Sequence, residues 1–317
     1  MFLSVIIPTR NRAKYLAGAL ASITGQTYPQ ELFEVIVVDN GSTDNTKEVC
    51  QSFNDRIKNL RYFYEPTPGL HVGRHLGMRE AKSEILVYAD DDIEAFPTWL
   101  EAIAESFQNP EVVLVGGKNL PKWEAEPPDW ILKMWEKDKN GNRILGYLSI
   151  LDLGDEKKFI SPFHVFGCNF SIRKNILLEA GGFHPDAMPK ELIIYRGDGE
   201  THVSEYIHKK KYKVFYHPDA SVHHLIPGER LTFYYYCQRA YYQAISDAFR
   251  EIRLYGPWRF DRLFMALFRQ CRFSCKKLSA IKLMGLYSYI RGYMTYHLCI
   301  AANKSLLNWV QKSNYWK

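Results

Sequence analysis

The feature that most restricts how this chain can fold is an alternation. Short, uninterrupted apolar runs rich in Val and Ile recur through the first half, and each gives way to polar residues and then to a helical period. SVIIP (Ser4–Pro8), VIVV (Val35–Val38), RYFYE (Arg61–Glu65), EILVY (Glu84–Tyr88) and VVLV (Val112–Val115) read as strands. Between them, Leu16, Leu20 and Ile23 share one helical face, with Asn11 as the expected cap. Asp44–Phe53 reads as a second helix capped by Ser42 or Thr43, and Gly69–Ala81 as a third, punctuated by glycine. Strands apolar on both sides need cover on both faces. The pattern therefore predicts an α/β fold: a Rossmann-like, mostly parallel central sheet with helices on both faces.

In an open parallel sheet, ligands bind beyond the carboxyl ends of the strands. Thr9, Arg10, Asn11 and Arg12 follow the first strand, Asp39 and Asn40 the second, and Asp90, Asp91 and Asp92 the strand EILVY. These groups are expected to meet on one edge of the sheet. Three consecutive carboxylates there raise one another's pKa unless positive charge lies between them. A hard divalent ion, Mg²⁺ or Mn²⁺, meets that need with oxygen ligands. The other reading is a solvated acidic turn.

SVIIPTRNR, VIVVDNGSTD, PGLHVGRHLGM and ILVYADDDI stand in that order. Together they resemble the signature of the inverting family 2 glycosyltransferases, which have the GT-A type of Rossmann-like fold. The resemblance covers about residues 3–225. It implies a nucleotide-sugar donor, with UDP the default nucleotide, and a glycan or lipid-linked acceptor. It implies that Thr9, Arg10, Asn11, Asp39, Arg74 and Asp90 hold the nucleotide sugar, and that Asp90, Asp91, Asp92 and His224 surround an Mn²⁺ or Mg²⁺ ion. Asp39 also reads as a turn carboxylate, and Arg74 as a surface charge. One departure is His75, where the family often has Asn.

The family's catalytic carboxylate usually lies in a Glu-Asp pair before a helix. The matching stretch here is RGDGETHVSEYIHKKKYKVFYHPD, which puts Glu200 opposite the usual Asp, with Asp198 two residues earlier. Val203 and Ile207 begin an amphipathic helix, so Glu200 falls in its first turn, where the helix dipole favours an ionised carboxylate. Such a group can accept the proton of an attacking hydroxyl; the alternative is a helix cap. GCNFSIRK resembles the family's acceptor-side segment, with Asn169 a candidate sugar contact. Trp123 and Trp130 are candidates to stack on a sugar, or to pack in the interior. They lie in residues 120–160, which read as an irregular insertion shaping an acceptor pocket.

Composition divides the chain near residue 226. Residues 226–317 hold 15 Lys and Arg against 4 Asp and Glu, and 20 aromatic residues. A catalytic domain over 1–225 is thus expected to carry a basic, aromatic helical appendage over 226–317. In DRLFMALFRQCRFSCKK, Arg262, Arg269, Arg272 and Lys276 lie opposite Phe264, Leu267, Phe268, Cys271 and Cys275, a division suited to an anionic membrane surface. Packing on the catalytic domain or on a second subunit is the alternative. No nucleic-acid motif accompanies the charge. No signal peptide opens the sequence and no run of 18 apolar residues occurs, so the expected place is the cytoplasmic face of a membrane, held peripherally. The six scattered cysteines signal neither a zinc site nor a disulfide framework.

Two rival activities fit less well. A sugar nucleotidyltransferase needs a Gly-rich loop for a triphosphate after the first strand, and PTRNRAKYL has none. A metal-dependent hydrolase has no need of the paired PTRNR and VVDNGS segments. A non-catalytic scaffold would have no reason to keep Asp39, the triplet and a candidate base.

Overall fold

The structure is a computed structural model, and it describes residues 1–257, 265 and 280–316. An eight-stranded sheet forms its centre. In chain order its strands are β1 (Leu3–Thr9), β2 (Phe33–Asp39), β3 (Leu60–Tyr64), β4 (Ile85–Ala89), β6 (Val112–Gly116), β10 (Lys158–Phe159), β11 (Asn169–Arg173) and β12 (Lys213–Tyr216). Their order across the sheet is β10-β12-β6-β11-β4-β1-β2-β3. The β4-β1-β2-β3 part is parallel, as is β6-β12, while β11 runs antiparallel between β4 and β6.

Period-2 burial explains why these runs are apolar on both sides. Val5 and Ile7 of β1, with Val35 and Val37 of β2, pack under Leu16, Leu20 and Ile23 of α1 (Ala13–Thr24). Ile6, Ile36 and Val38 face the other way, with Met78 of α3 (Leu70–Glu80) and Val203 and Ile207 of α7 (Thr201–Lys210). The remaining helices of this half are α2 (Thr46–Gln51), α4 (Trp99–Ser106), α5 (Asp129–Met134) and α6 (Lys174–Glu179). Helix α3 lies hard against β1: a Cβ on Gly77 would stand 2.3 Å from Ile6 Cγ2.

The expected caps are corrected. Asn11 sits in the left-handed region (φ 53°), and Arg12 precedes α1 without capping it. The carboxylate of Asp44 accepts instead from Ala13 N at 3.2 Å and from Thr46 N at 3.1 Å, so one side chain serves the first turns of α1 and α2. Ser42 and Thr43 do not cap α2.

Residues 120–160 are also more regular than expected. β7 (Asn119–Trp123), β8 (Arg143–Leu145) and β9 (Ile150–Asp152) join β5 (Ile93–Ala95) and β13 (Val222–Ile226) in a second sheet, ordered β5-β13-β7-β9-β8. Strand pairing over long separations was invisible in local composition.

Beyond residue 226, Thr232 accepts from Tyr235 N and caps α8 (Phe233–Tyr255), which Gly256 ends at φ 80°. Helix α8 packs on α9 (Ala280–Ala302) through Ala244, Ala248, Tyr289 and Tyr293, and α10 (Lys304–Val310) closes the same cluster. Ile193, Ile194 and Tyr195 pack against this cluster, and Trp309 Nε1 donates to Tyr195 O at 3.2 Å. The amphipathic segment 261–277 lies outside the described residues apart from Met265. Among the described residues, no helix is long and apolar enough to cross a membrane. Cys50, Cys168, Cys237 and Cys299 are free thiols.

Candidate active site

The β1 and β4 carboxyl ends meet as expected, but the acidic triplet is not a bare carboxylate cluster. Asp91 Oδ2 accepts from Thr9 Oγ1 at 2.7 Å, and its Oδ1 accepts from Arg12 Nε at 2.7 Å. Asp92 Oδ2 accepts from Arg12 Nη2 at 2.6 Å and from Arg230 Nη2 at 3.1 Å. Much of the positive charge required by three neighbouring carboxylates is thus supplied by two guanidiniums. Burial raises the Asp91 carboxyl despite Arg12; at Asp92, burial is outweighed by His224, Arg230 and Arg12, which hold it well below the usual carboxylate range. Both Asp91 oxygens are therefore engaged, one by Thr9 and the other by Arg12.

Asp92 and His224 are different. The register of β13 against β5 sets His224 opposite Ile93, beside the triplet. Asp92 Oδ1 is buried with no hydrogen bond and lies 3.3 Å from His224 Nε2. Asp90 is the most open of the three, its side chain 32% exposed, and it lines the same pocket. These atoms suit a divalent ion with oxygen and imidazole ligands. Among the described residues, no group of three His, Cys, Asp or Glu side chains forms a ready metal cage. An ion here would complete its shell from phosphate oxygens and water.

Two pockets adjoin at the triplet. One is lined by Thr9, Arg10, Arg12, Asn40, Gly69 and Asp90–Asp92. The other holds Arg74, Glu200, His224, Asp186, Tyr147 and Tyr235. Asp90, Asp92 and Arg230 line both.

Arg74 joins the triplet to the candidate base. It is 3% exposed, with Nη2 3.4 Å from Asp90 Oδ1 and Nη1 3.5 Å from Glu200 Oε2. Its Nη2 also donates to Gly167 O at 3.1 Å, and Gly167 N donates to Glu200 Oε1 at 3.3 Å. Glu200 sits at the N-terminal boundary of α7, but its side chain caps nothing there. Arg74 is thus a buried link between carboxylates, not a surface charge.

Other expected positions fall elsewhere. Asp198 is directed away: its Oδ1 lies 2.5 Å from His184 Nδ1, in a separate pocket with His202 and Arg250. Asp39 is 2% exposed and accepts from Ser42 N and Tyr62 OH, both at 2.7 Å, which matches the turn-carboxylate reading. Its neighbour Asn40 reaches the pocket wall. Asn11 ties the loops after β1 and β2, accepting from Thr43 N at 2.7 Å. Asn169 is 1% exposed and donates to Asn119 Oδ1 and Ala220 O while accepting from Trp99 Nε1; its whole amide is spent on joining the two sheets, leaving none for a sugar. Trp123 and Trp130 pack against the cluster around Ile131 and Ile226, so the rings at the pocket are Tyr147 and Tyr235 instead. His75 is buried, and its Nε2 accepts from Phe183 N at 2.9 Å.

Arg230, Asp186, Arg196 and Arg239 were not singled out from sequence, yet all line the second pocket. The only signal for Arg230 and Arg239 was the excess of basic residues beyond 226, which points to no particular position, and Arg196 opens the stretch RGDGETHV with nothing to set it apart from other charges.

A family model described as Glycosyl transferase family 2 matches residues 4–180. Over 263 residues the chain is 23% identical to a glucosyl-dolichyl phosphate glucuronosyltransferase of Haloferax volcanii, covering 80% of this chain and 78% of that protein. It is 38% identical over 117 residues to the glycosyltransferase AglE of the same organism, but this spans only 37% of the chain and 38% of AglE. Among solved structures, it is similar to the mannosyltransferase PcManGT of Pyrobaculum calidifontis in complex with GDP-Man and Mn²⁺, at TM-score 0.55 and 19% identity, over 97% of this chain and 85% of the other. TarS 1-349 of S. aureus in complex with UDP-GlcNAc is similar at TM-score 0.52 and 17% identity, over 95% and 92%. At these identities the likeness to solved structures establishes the fold: the GT-A type, with a helical C-terminal region.

Proposed function

The chain belongs to glycosyl transferase family 2, and on that premise we propose that it transfers a sugar from a nucleotide-diphosphate sugar, with UDP the first nucleotide to test, to a hydroxyl acceptor, with inversion at the anomeric carbon. The arrangement that supports this reading most is the link Asp90–Arg74–Glu200: one buried guanidinium lies within 3.5 Å of both a triplet carboxylate and the candidate base.

The pocket of Thr9, Arg10, Asn40 and the triplet takes the nucleotide and diphosphate. Asp92 and His224, with Asp90, would hold Mn²⁺ or Mg²⁺. Such an ion, when bound, offsets the charge of the departing diphosphate. Arg12 and Arg230 add fixed positive charge at the same wall. Glu200 accepts the proton of the acceptor hydroxyl as its oxygen attacks the anomeric carbon from the side opposite the diphosphate. The bond to the diphosphate oxygen breaks with its electron pair, so no covalent enzyme intermediate is required. Arg74 and the Gly167 N–H keep the carboxylate oriented for that transfer.

Residues 226–317 act as an acceptor-side module, a role supported by Arg230, Tyr235 and Arg239 lining the Glu200 pocket. The basic aromatic segment within that region suits a peripheral position on an anionic membrane, where a glycan or lipid-linked acceptor of cell-surface polysaccharide or glycolipid synthesis would be met. The test is a calorimetric screen of nucleotide sugars with and without Mn²⁺ or Mg²⁺. Ion-dependent binding of one donor is expected; binding of none would overturn the reading.

A further inference from the structure

The second pocket contains four arginines, three of which are paired with carboxylates. Arg74 lies against Asp90 and Glu200, Arg230 against Asp92, and Arg196 against Asp186 at 2.6 Å. Arg239 is the exception. Among the described residues it makes no hydrogen bond and no ion pair, and its Nε is sealed from solvent with no partner. An unpaired guanidinium in such a place carries a desolvation cost that a bound anion would offset.

Its position indicates which substrate supplies the anion. Arg239 lines the Glu200 pocket but not the pocket of Thr9 and Arg10. With Tyr147, it also lines a groove between α8 and α9 that continues past Tyr236, Leu286 and Tyr289. That groove shares no residue with the nucleotide pocket. An anion at Arg239 therefore belongs to the molecule entering from the acceptor side, not to the donor diphosphate.

We propose that Arg239 anchors an oxyanion carried by the acceptor, a phosphate or a sugar carboxylate, in the pocket that holds Glu200. This rests on reading that pocket as the acceptor half of a transferase. A planar guanidinium suits both oxyanions, since each accepts two parallel N–H bonds. The acceptor is thus an anionic molecule, and neutral sugars bind poorly.

The experiment uses the full chain and two matched probe pairs, observed by ligand NMR: geranyl phosphate against geraniol, and glucuronate against glucose. Wild type is expected to bind at least one anionic probe about tenfold or more tightly than its neutral partner. Preference for geranyl phosphate assigns a lipid phosphate, and preference for glucuronate an acidic sugar. Arg239→Leu should abolish the preference, while Arg239→Lys keeps part of it. Arg239→Leu should also melt at or above the wild-type temperature, because it removes an unpaired, partly buried charge; a large drop would mark a structural role and count against the proposal. If neither anion is preferred, or if Arg239→Leu binds the anions as wild type does, the proposal fails. Nucleotide-sugar binding, titrated in the same samples, reports separately on the transferase reading and should be unchanged in Arg239→Leu.

Discussion

Arg74 Nη1 lies 3.5 Å from Glu200 Oε2, so the candidate base rests against a guanidinium that is itself 3% exposed. The same guanidinium lies 3.4 Å from Asp90. A carboxylate held in this way has a defined orientation, and the geometry separates Glu200 from Asp198, two residues away and turned to His184.

Glu200→Gln keeps the shape and removes the proton acceptor. Transfer should fall by about 10²–10⁴-fold, the usual contribution of a general base, while nucleotide binding by calorimetry stays near wild type. Asp198→Asn should behave in the opposite way. Its cost of about 1–3 kcal/mol falls on stability, because His184 loses a buried partner, and kcat per folded molecule should change little. Full activity in Glu200→Gln would remove it as the base.

Gly167 touches both members of the Arg74–Glu200 pair. A Cβ there would stand 2.5 Å from Arg74 Nη2 and 3.1 Å from Glu200 Oε1. Gly167→Ala should displace the pair and lower kcat/KM by about 100-fold, the effect of roughly ångström-scale misplacement. Denaturant melts should show a loss of about 1–3 kcal/mol at most. Unchanged kinetics would mean that the pair tolerates displacement.

Ion dependence should follow His224. Chelation is expected to abolish transfer, and Mn²⁺ to restore it. His224→Gln should weaken Mn²⁺ binding in the presence of nucleotide by at least about 10–100-fold, the range seen when even an outer partner is lost. It should disturb the fold less than Asp92→Asn, which leaves Arg12 and Arg230 short of a partner. Equal Mn²⁺ titrations for His224→Gln and wild type would exclude the imidazole as a ligand.

Stability should fall on acidification. Burial lowers His71 to about 4, His75 to about 3 and His202 to about 4, so all three are neutral in the native state near pH 6. Their unfolded values lie near 6.5. Between about pH 6.5 and 4 the unfolded chain binds more protons, so stability rises with pH across that window and is lost as pH falls through it. Each group contributes up to about 1.4 kcal/mol per pH unit. Denaturant titrations at pH 7 and 5 should show the loss, and His75→Asn, which restores the residue common in the family, should reduce it. A flat profile would indicate that these rings are not buried neutral.

Membrane attachment is testable with vesicles. The full chain should float with vesicles containing phosphatidylglycerol at low salt, be released in about 0.5 M salt as charges are screened, and ignore pure phosphatidylcholine. Equal binding to both would point to an apolar, not an electrostatic, contact.

The sequence by itself determined the alternating architecture, because strands apolar on both faces and helices apolar on one can be buried in few ways. It also placed Thr9 and the Asp90–Asp92 triplet at one rim, since strand ends follow directly from strand limits. Only the tertiary structure decided what each charged group does there. Asp91 and Asp92 find Arg12 and Arg230, Glu200 finds Arg74, and Asp198 turns to His184, through contacts between residues far apart in the chain or through a local turn whose hand no composition reveals. The second sheet depended likewise on the register of β13 with β5 and β7, set by pairing across more than 100 intervening residues rather than by any local pattern. Local period governs which face of an element is buried; which charges come to neutralise one another is settled when the elements pack.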